Sequence, residues 1–494
     1  MSNTTLYLFR NDLRLKDNPG LSAACNSGQP VLLLFILDNA DKNWRIGSAS
    51  RWWLHHSLQS LHSSIEKHGG SLILRKGNTV SILDEIINQA NVNKLYFSRT
   101  YEPAQVKIEE NIFFSFHDQI EVKQFGGYLL FEPEQIKTGN DQPYKVFTPF
   151  WKKCLKQPEP CLSKQKTSKL KIASCFKVRC DELNDWCLLP NEPDWASGLR
   201  DKWQPGEDGA HYTLKEFIQS GLQNYDVERN RPDRDGTSCL SPYLHCGEIA
   251  PARIWYEVKQ QVDRYKSKTK SGMTFLRELG WRDFSTHLLY NWPDLPNSPF
   301  RPEYKNFPWK KNRKILVAWQ KGQTGYPIVD AGMRQLWHSG WMHNRVRMIV
   351  ASFLVKHLLI HWREGEDWFW DTLVDADLAN NSVSWQWIAG SGADAAPYFR
   401  IFNPILQGKK FDPNGDYVRR WVPEVAMLPG QYIHEPWITP EEVLNKANIE
   451  LGREYPLPII EHDVGRYNAL YAFRNFKKMA NKPIKLVTNN QKPG

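Results

Sequence analysis

The chain has 494 residues, with 64 lysines and arginines against 54 aspartates and glutamates, and therefore a net charge of +10. Hydrophobic residues make up 41% and charged residues 24%, an ordinary globular composition that excludes a wholly disordered chain. The longest apolar run, Val31–Leu37, is far shorter than the roughly 20 residues that span a bilayer, and no secretory signal opens the sequence. We therefore expect a protein without a membrane association, located in the cytoplasm.

The first 130 residues alternate between short apolar runs and helical patterns. This alternation predicts a doubly wound parallel sheet with helices on both faces, an α/β domain over residues 1–130. The G-x-G-x-x-G fingerprint of NAD-binding folds does not follow the first predicted strand. The predicted strands are 5–9, 31–37, 71–74, 94–97 and 121–125, and the predicted helices of this domain are 50–68, 79–90 and 103–116.

Residues 131–205 are rich in proline, lysine and serine and have weak periodicity, which predicts an interdomain linker. Helical patterns punctuated by proline and glycine follow, so we predict an all-α C-terminal domain over 206–480 and a short tail over 481–494. The predicted helices are 213–221, 250–265, 274–290, 311–320, 330–339, 344–361 and 367–373.

Positive charge is concentrated in residues 151–180, which hold nine basic residues and one acid, Glu159. A nucleic-acid contact and a solvated linker both account for such a stretch. Five of the eight cysteines lie between Cys154 and Cys187, but none forms a C-x-x-C pair. We expect free thiols and predict no metal site.

Tryptophan is unusually abundant, with 21 residues, of which 14 lie between Trp255 and Trp437. A large helical core would use many of them, but stacking on bases or on a flat cofactor is an alternative. A light-independent single-strand nucleic-acid-binding protein is one function that this composition allows.

Two segments place aromatic and polar side chains on one helix face, at positions i, i+3, i+4 and i+7. Such a face can stack a base, hydrogen-bond its edge and bind a phosphate through arginine. An ordinary surface helix with an incidental tryptophan remains the alternative. The two sets are Glu278, Trp281, Arg282 and Ser285, and Trp341, Asn344, Arg345 and Met348.

Hydroxyl and carboxylate groups form two further candidate sites. Thr237, Ser238 and Ser241 precede a predicted helix start, where they can hold a phosphate or cap the helix. Asp375 and Asp377 form a carboxylate pair that suits a metal, a ribose or an arginine. Neither a Ser/His/Asp pattern nor H-E-x-x-H is evident, so the sequence does not support hydrolysis.

Several motifs occur in one order between about residue 4 and residue 475. They are F-R-N-D-L-R-L at 9–15, the stretch 236–247, G-Y-P-I-V-D-A-G at 325–332, G-W-M-H-N-R at 340–345, W-R-E-G-E at 362–366 and G-A-D-A-A-P-Y-F-R-I-F-N-P at 392–404. This set resembles the photolyase/cryptochrome family. Within the family, the chain is most similar to class I cyclobutane pyrimidine dimer photolyases.

The resemblance implies an activity and two chromophores. A deoxyribodipyrimidine photo-lyase, acting as a monomer on UV-damaged DNA, repairs pyrimidine dimers by electron transfer from photoexcited reduced FAD to the flipped-out dimer. A cryptochrome-type photoreceptor without repair, and repair of (6-4) photoproducts, are the alternatives. An antenna is expected at Glu102: methenyltetrahydrofolate first, with 8-hydroxydeazaflavin or FMN as alternatives, because Tyr101 departs from the folate-binding pattern.

The resemblance also implies residue roles. In the helical FAD-binding domain, Arg347 would pair with Asp375, and Asn381 would face the flavin. FAD would be held by Tyr225, Thr237, Ser238, Cys239, Leu240, Ser241, Arg347, Asp375, Ala376, Asp377 and Asn381. Electrons would reach it through Trp385, Trp362 and Trp309. The dimer would contact Glu278, Trp281, Asn344, Met348 and Trp387, with DNA held by Arg229, Arg282, Ser285, Arg345, Arg400 and Gln407.

Overall fold

A computed structural model describes residues 3–38, 44–162, 178–395 and 399–480. Its N-terminal part contains a five-stranded parallel sheet in the order β3-β2-β1-β4-β5. Strands are added on one side of β1 up to β3 and on the other side from β4 onward, so the strand order reverses between β1 and β4. This confirms the predicted doubly wound fold. The strands are β1 Thr4–Phe9, β2 Val31–Leu37, β3 Leu72–Lys76, β4 Val92–Ser98 and β5 Glu121–Phe125.

Helices cover both faces of this sheet. Side chains alternate along β1, so that Tyr7 and Phe9 pack into one apolar cluster and Leu6 and Leu8 into another. Every residue of β1 and β2 is buried, as expected of central strands with two covered faces. The helices of this domain are α1 Pro19–Cys25, α2 Ser48–Glu66, α3 Thr79–Ala90 and α4 Pro103–Phe116.

The remainder of the described chain is helical, as predicted, although several boundaries differ. The predicted helix 344–361 ends at Ser352 and continues as a π-helical turn, Phe353–His357. The predicted linker contains two α-helices, over 147–154 and 197–202, and the helix over 378–389 has no predicted counterpart. The bounds are α5 Phe147–Cys154, α6 Ser197–Lys202, α7 Glu207–Glu216, α8 Tyr225–Glu228, α9 Ser241–His245, α10 Pro251–Arg264, α11 Thr269–Asn291, α12 Arg313–Gln320, α13 Pro327–Ser339, α14 Asn344–Ser352, α15 Trp362–Thr372, α16 Leu378–Ala389, α17 Pro404–Phe411, α18 Asp416–Trp421, α19 Glu441–Lys446 and α20 His462–Ala480.

The helical part docks on the loop that follows β1. The Glu207 carboxylate accepts hydrogen bonds from the backbone N–H groups of Leu15 and Lys16, each at 2.9 Å. Gly247 has a φ of +66°, and a Cβ there would lie 1.9 Å from the carbonyl oxygen of Asn11. The two chain segments therefore approach closely enough to require glycine.

Some predicted features fall outside the described residues. These are most of the basic stretch (163–177, including Cys175), the tail 481–494 and positions 396–398 of the last motif. Their predicted roles, and the predicted domain bounds, stay predictions. Cys154 is buried, while Cys161, Cys180 and Cys187 are exposed. In the ranges that the structure covers, no helix has the length and apolar character that crossing a membrane requires.

Candidate functional site

Four predicted or neighbouring cofactor-binding groups converge between α9, α14 and the loop before α16. Arg347 forms a two-contact ion pair with Asp375, with Nη2–Oδ distances of 3.0 and 2.8 Å, as predicted. The Trp341 indole N–H donates to Ser241 Oγ at 3.4 Å, and the Arg347 guanidinium lies 6.0 Å from the Trp341 ring centroid. Ala376 follows Asp375, and residues 237–240 lead directly into α9.

Lys202 is a member of this cluster that the sequence did not reveal. Its ammonium lies 4.4 Å from the Trp341 ring centroid, and burial lowers the pKa of Lys202 despite the opposing effects of Cys239 and Asp375. No carboxylate of the described residues forms an ion pair with it. A desolvated cation beside the hydroxyl-bearing segment 237–241 suits the pyrophosphate of FAD, so the donor set fits that cofactor.

Two further predicted FAD contacts are buried. Asn381 is buried in α16, and its amide N–H group donates to the Glu366 carbonyl at 3.0 Å, which fixes the orientation of the amide. Tyr225 is buried against Phe275, with ring centroids 5.2 Å apart.

Asp377 faces the α/β domain instead. It caps α16 through the backbone N–H of Asn380 at 2.8 Å and accepts a hydrogen bond from the Tyr128 hydroxyl at 2.9 Å. His245 lies 3.9 Å away. These partners engage the carboxylate oxygens in an interdomain contact, and the position of Asp377 along the flavin and ribose stays a prediction.

The three predicted electron-transfer tryptophans run from the interior towards the surface. Trp385 is buried on α16 and packs on Gly365 of α15, where a Cβ would lie 2.1 Å from its ring. Trp362 is also buried, and its ring centroid is 5.4 Å from that of His361. His361 in turn lies 5.3 Å from the half-buried Trp309. The order agrees with the predicted chain, whose role stays a prediction.

Cations and hydrogen-bonding groups gather at the start of α14. Arg229 pairs with Glu278 at 2.6 Å, and Arg345 donates to the Met348 sulfur at 3.6 Å. Burial, and then the charges of Arg229 and Arg400, lower the pKa of Arg345, so these three arginines form one electropositive region. Asn344 is exposed beside them, and Gln407 is half-buried on α17.

Trp281 and Trp387 are joined through a single loop. Trp281 stacks on Phe147 with centroids 3.6 Å apart. The Phe147 N–H donates to the Asp394 carboxylate at 3.4 Å, and the Trp387 indole donates to the Asp394 carbonyl at 3.1 Å. Both indoles are half-buried. The structure thus brings the two predicted dimer-flanking rings to the same region.

Three predicted site residues of α11 make contacts within the protein. Arg282 is 11% exposed and donates to the carbonyls of Tyr128 at 2.7 Å and Leu244 at 3.4 Å, and its role in DNA binding stays a prediction. Ser285 is buried and donates to the Trp281 carbonyl at 3.1 Å, within its own helix. Glu278 is 29% exposed and pairs with Arg229 at 2.6 Å.

Glu102 lies at the reversal between β1 and β4, where doubly wound sheets bind ligands. Tyr101, Tyr128 and Asp377 line the same cavity, whose volume is only about 10 Å³. The helical domain therefore fills most of this crevice. That volume is close to the minimum for one water molecule, and the antenna contact of Glu102 stays a prediction.

Comparisons with known proteins identify the family. Residues 5–168 match the model of DNA photolyase, and residues 275–475 match the model of the FAD binding domain of DNA photolyase. A deoxyribodipyrimidine photo-lyase of Agrobacterium fabrum is 46% identical over 95% of this chain and 97% of its own length. The chain belongs to the photolyase/cryptochrome family. Its helical part is the FAD-binding domain of this flavoprotein family.

Two other members of the family bear on the subfamily of this chain. Cryptochrome-1 of Arabidopsis thaliana is 37% identical over 93% of this chain and 68% of its own length. The crystal structure of a bacterial class III photolyase from Agrobacterium tumefaciens superposes with a TM-score of 0.92 at 45% identity, covering 97% of this chain and 98% of that one. Photolyases and cryptochromes are thus both similar to this chain, and the predicted class I is not confirmed.

Proposed function

We propose that this protein repairs cyclobutane pyrimidine dimers in UV-damaged DNA in a light-dependent reaction. The observation that carries the proposal is the convergence of two half-buried indoles, Trp281 and Trp387, with the arginine-rich start of α14. Flat rings suit two adjacent bases extruded from one strand, and the cations suit the phosphates beside them. The similarity to a class III photolyase supports class III in place of class I.

Each part of this region has a distinct task. Bound reduced FAD supplies, on illumination, the electron that splits the dimer. The Arg347–Asp375 pair and Lys202 would hold the cofactor, and the Asn381 amide, fixed by the Glu366 carbonyl, would present its dipole to the flavin. Trp281 and Trp387 hold the dimer and exclude water, while Asn344 and Met348 contact its edge and face.

The decisive experiment measures repair of an oligonucleotide that carries one thymine dimer. Chemically reduced protein is incubated with it in blue light and in darkness, and recovery of thymine absorbance is followed. We expect repair in light only. Binding of the dimer with bound flavin but without repair would favour a cryptochrome-type photoreceptor, and repair of a (6-4) photoproduct alone would favour that alternative.

For the second chromophore we propose a site other than Glu102. A groove of about 400 Å³, within the range of about 300–1,000 Å³ typical of ligand pockets, is lined by Trp52, His56, Arg200 and Trp203. Burial lowers the pKa of His56, and Arg200, which pairs with the exposed Asp194, would exchange that partner for a carboxylate of the folate. The proposed antenna is therefore methenyltetrahydrofolate in this groove, with 8-hydroxydeazaflavin or FMN as alternatives.

This assignment is tested by purification of two variants. Arg200→Ala should lose the second chromophore and keep FAD, whereas Glu102→Gln should keep both. Absorption spectra of the purified proteins, and chromatography of the released chromophores, report the outcome. Loss of the second chromophore in Glu102→Gln alone would restore the original prediction at Glu102.

A further inference from the structure

A small cavity borders two residues of the proposed DNA-binding region, Trp387 and Arg400. Its volume is about 40 Å³, roughly three times the ~10–15 Å³ that one water molecule needs. It therefore admits a group of a few heavy atoms and excludes a nucleobase. Besides Arg400, three cations from separate elements line it: Arg301 before α12, Lys356 on the π-helical turn and Lys477 on α20.

The cavity is positive and has no acidic counterpart. Among the described residues, no carboxylate belongs to its lining, and none of the four cations forms an ion pair with one. The hydroxyls of Tyr304 and Ser352 add hydrogen-bonding groups to the wall. Phe399 and Phe473, stacked with centroids 4.4 Å apart, form an apolar part of it. Low polarity around fixed charges strengthens their attraction for an anion.

Lys356 is the most telling of these cations, because it is only 1% exposed. Its ammonium donates to the Ala389 carbonyl at 2.8 Å and lies 3.3 Å from the Phe399 ring centroid. A lysine carries three donors, and a buried ammonium with one acceptor is costly unless an anion accompanies it. Burial also lowers the pKa of Lys356 well below its usual value.

Helix capping explains only part of this cluster. Lys356 and Arg301 contact the carbonyls of Ala389 and Gly390 at the end of α16, where cations are favourable. Arg400 and Lys477 reach the same cavity without any hydrogen bond to those carbonyls. Arg400 and Lys477 are therefore not explained by helix capping and are available to a ligand.

We propose that this cavity binds a backbone phosphate of the DNA strand that carries the dimer, with Arg301, Lys356 and Lys477 joining Arg400. The proposal rests on the proposed function. A phosphate has the size, charge and acceptor number that the cavity offers. Because Trp387 belongs to both regions, a dimer held against its ring carries its own backbone to this cavity.

The test compares two neighbouring lysines in the last turn of α20. Lys477 lines the cavity and Lys478 does not, and both are exposed. Binding of a duplex with one thymine dimer is measured between about 50 and 200 mM salt, where each neutralised phosphate contributes about −0.9 to the slope of log K against log salt. Lys477→Gln and Arg301→Gln should weaken binding and reduce the slope by about 1, with Lys478→Gln unchanged.

The outcomes separate this proposal from the function on which it rests. If the wild type repairs dimers in light but both variants keep its salt slope, the phosphate subsite is overturned and the function stands. If the wild type neither binds nor repairs the dimer, the proposed function fails. Stabilisation of the wild type by inorganic phosphate, lost in both variants while their DNA slopes are unchanged, would assign the cavity to free phosphate and overturn the DNA subsite.

Discussion

Trp281 combines a packing contact within the protein with a proposed contact to DNA. Phe147 covers one face of its ring, at 3.6 Å between centroids and 8° between planes, and we propose that the other face receives a base. Base stacking is worth about 1–3 kcal/mol, so Trp281→Ala should weaken binding of a dimer-containing oligonucleotide roughly 5- to 150-fold. The control is Trp337→Ala, on the exposed side of α13. Equal affinities for wild type and Trp281→Ala would exclude the flanking role.

Glu366 gives a residue-level prediction for pH dependence. Burial raises its pKa to about 8, despite the hydrogen bond from Ser382, and its second oxygen is buried without a hydrogen-bond partner in the described structure. The folded state therefore binds a proton that the unfolded state releases above about pH 4.5, so this group makes stability fall between about pH 4.5 and 8.

Glu366→Gln should remove this contribution, because the amide keeps an acceptor for Ser382 and does not titrate. The urea midpoint of the wild type should fall across that interval by more than the midpoint of the variant. The corresponding loss in the free energy of unfolding is at most about 5 kcal/mol. The matched control is Glu364→Gln, an exposed residue two positions away on α15. Parallel pH profiles of wild type and Glu366→Gln would refute the assignment.

Periodicity identified which residues share a helix face but not what that face meets. Glu278, Trp281, Arg282 and Ser285 do lie along one side of α11, yet the last two turn towards Tyr128 and the helix backbone. The spacing is a property of the helix, whereas the neighbour is a property of the tertiary packing. Lys202 was missed for the same reason, because its partners are distant in sequence.

The three electron-transfer tryptophans depend on how elements cross. The Trp385 ring packs against Gly365, which brings α16 close to α15, while Trp309 lies in the segment before α12. Trp309→Phe should abolish or greatly slow photoreduction of the flavin, because phenylalanine is much harder to oxidise, and should leave repair by chemically reduced protein unchanged. Trp292→Phe, a half-buried residue packed on Phe300, is the control. Normal photoreduction in Trp309→Phe would remove Trp309 from the chain.

Elements were predictable where burial followed a simple pattern. The uninterrupted apolar run of β2 is buried at every position and was found with its exact bounds. In contrast, α16 is buried on most sides but carries Asn381, Ser382 and Gln386 in its interior. Two of these polar side chains, Asn381 and Ser382, hydrogen-bond to Glu366 on α15. Because buried positions of α16 are therefore polar as well as apolar, the sequence lacks the one-sided apolar periodicity by which a helix is recognised.

At the scale of the whole molecule, the two parts of the chain are held together by polar contacts that no local pattern reveals. Glu207 binds the backbone of residues 15 and 16, and Arg14 donates to the Gly247 carbonyl at 2.8 Å. These partners lie some 190 or more positions apart. Fold class follows from short-range alternation, but the docking of the domains requires the tertiary structure.

A substitution of Arg282 distinguishes a role in domain docking from the predicted role of this residue in DNA binding. The guanidinium lies 4.1 Å from the Tyr128 ring centroid, donates to the Tyr128 carbonyl and has Asp283 at 3.7 Å. Arg282→Met keeps much of the volume but leaves acidic groups without their cation, which costs about 3 kcal/mol or more when the pair is buried. We expect a lower urea midpoint and faster proteolysis between the domains, with the dimer affinity of the folded fraction unchanged. Arg277→Met, on the same helix beside Phe147, is the matched control for a general loss of charge. A normal midpoint combined with weakened DNA binding would return Arg282 to the DNA-binding surface.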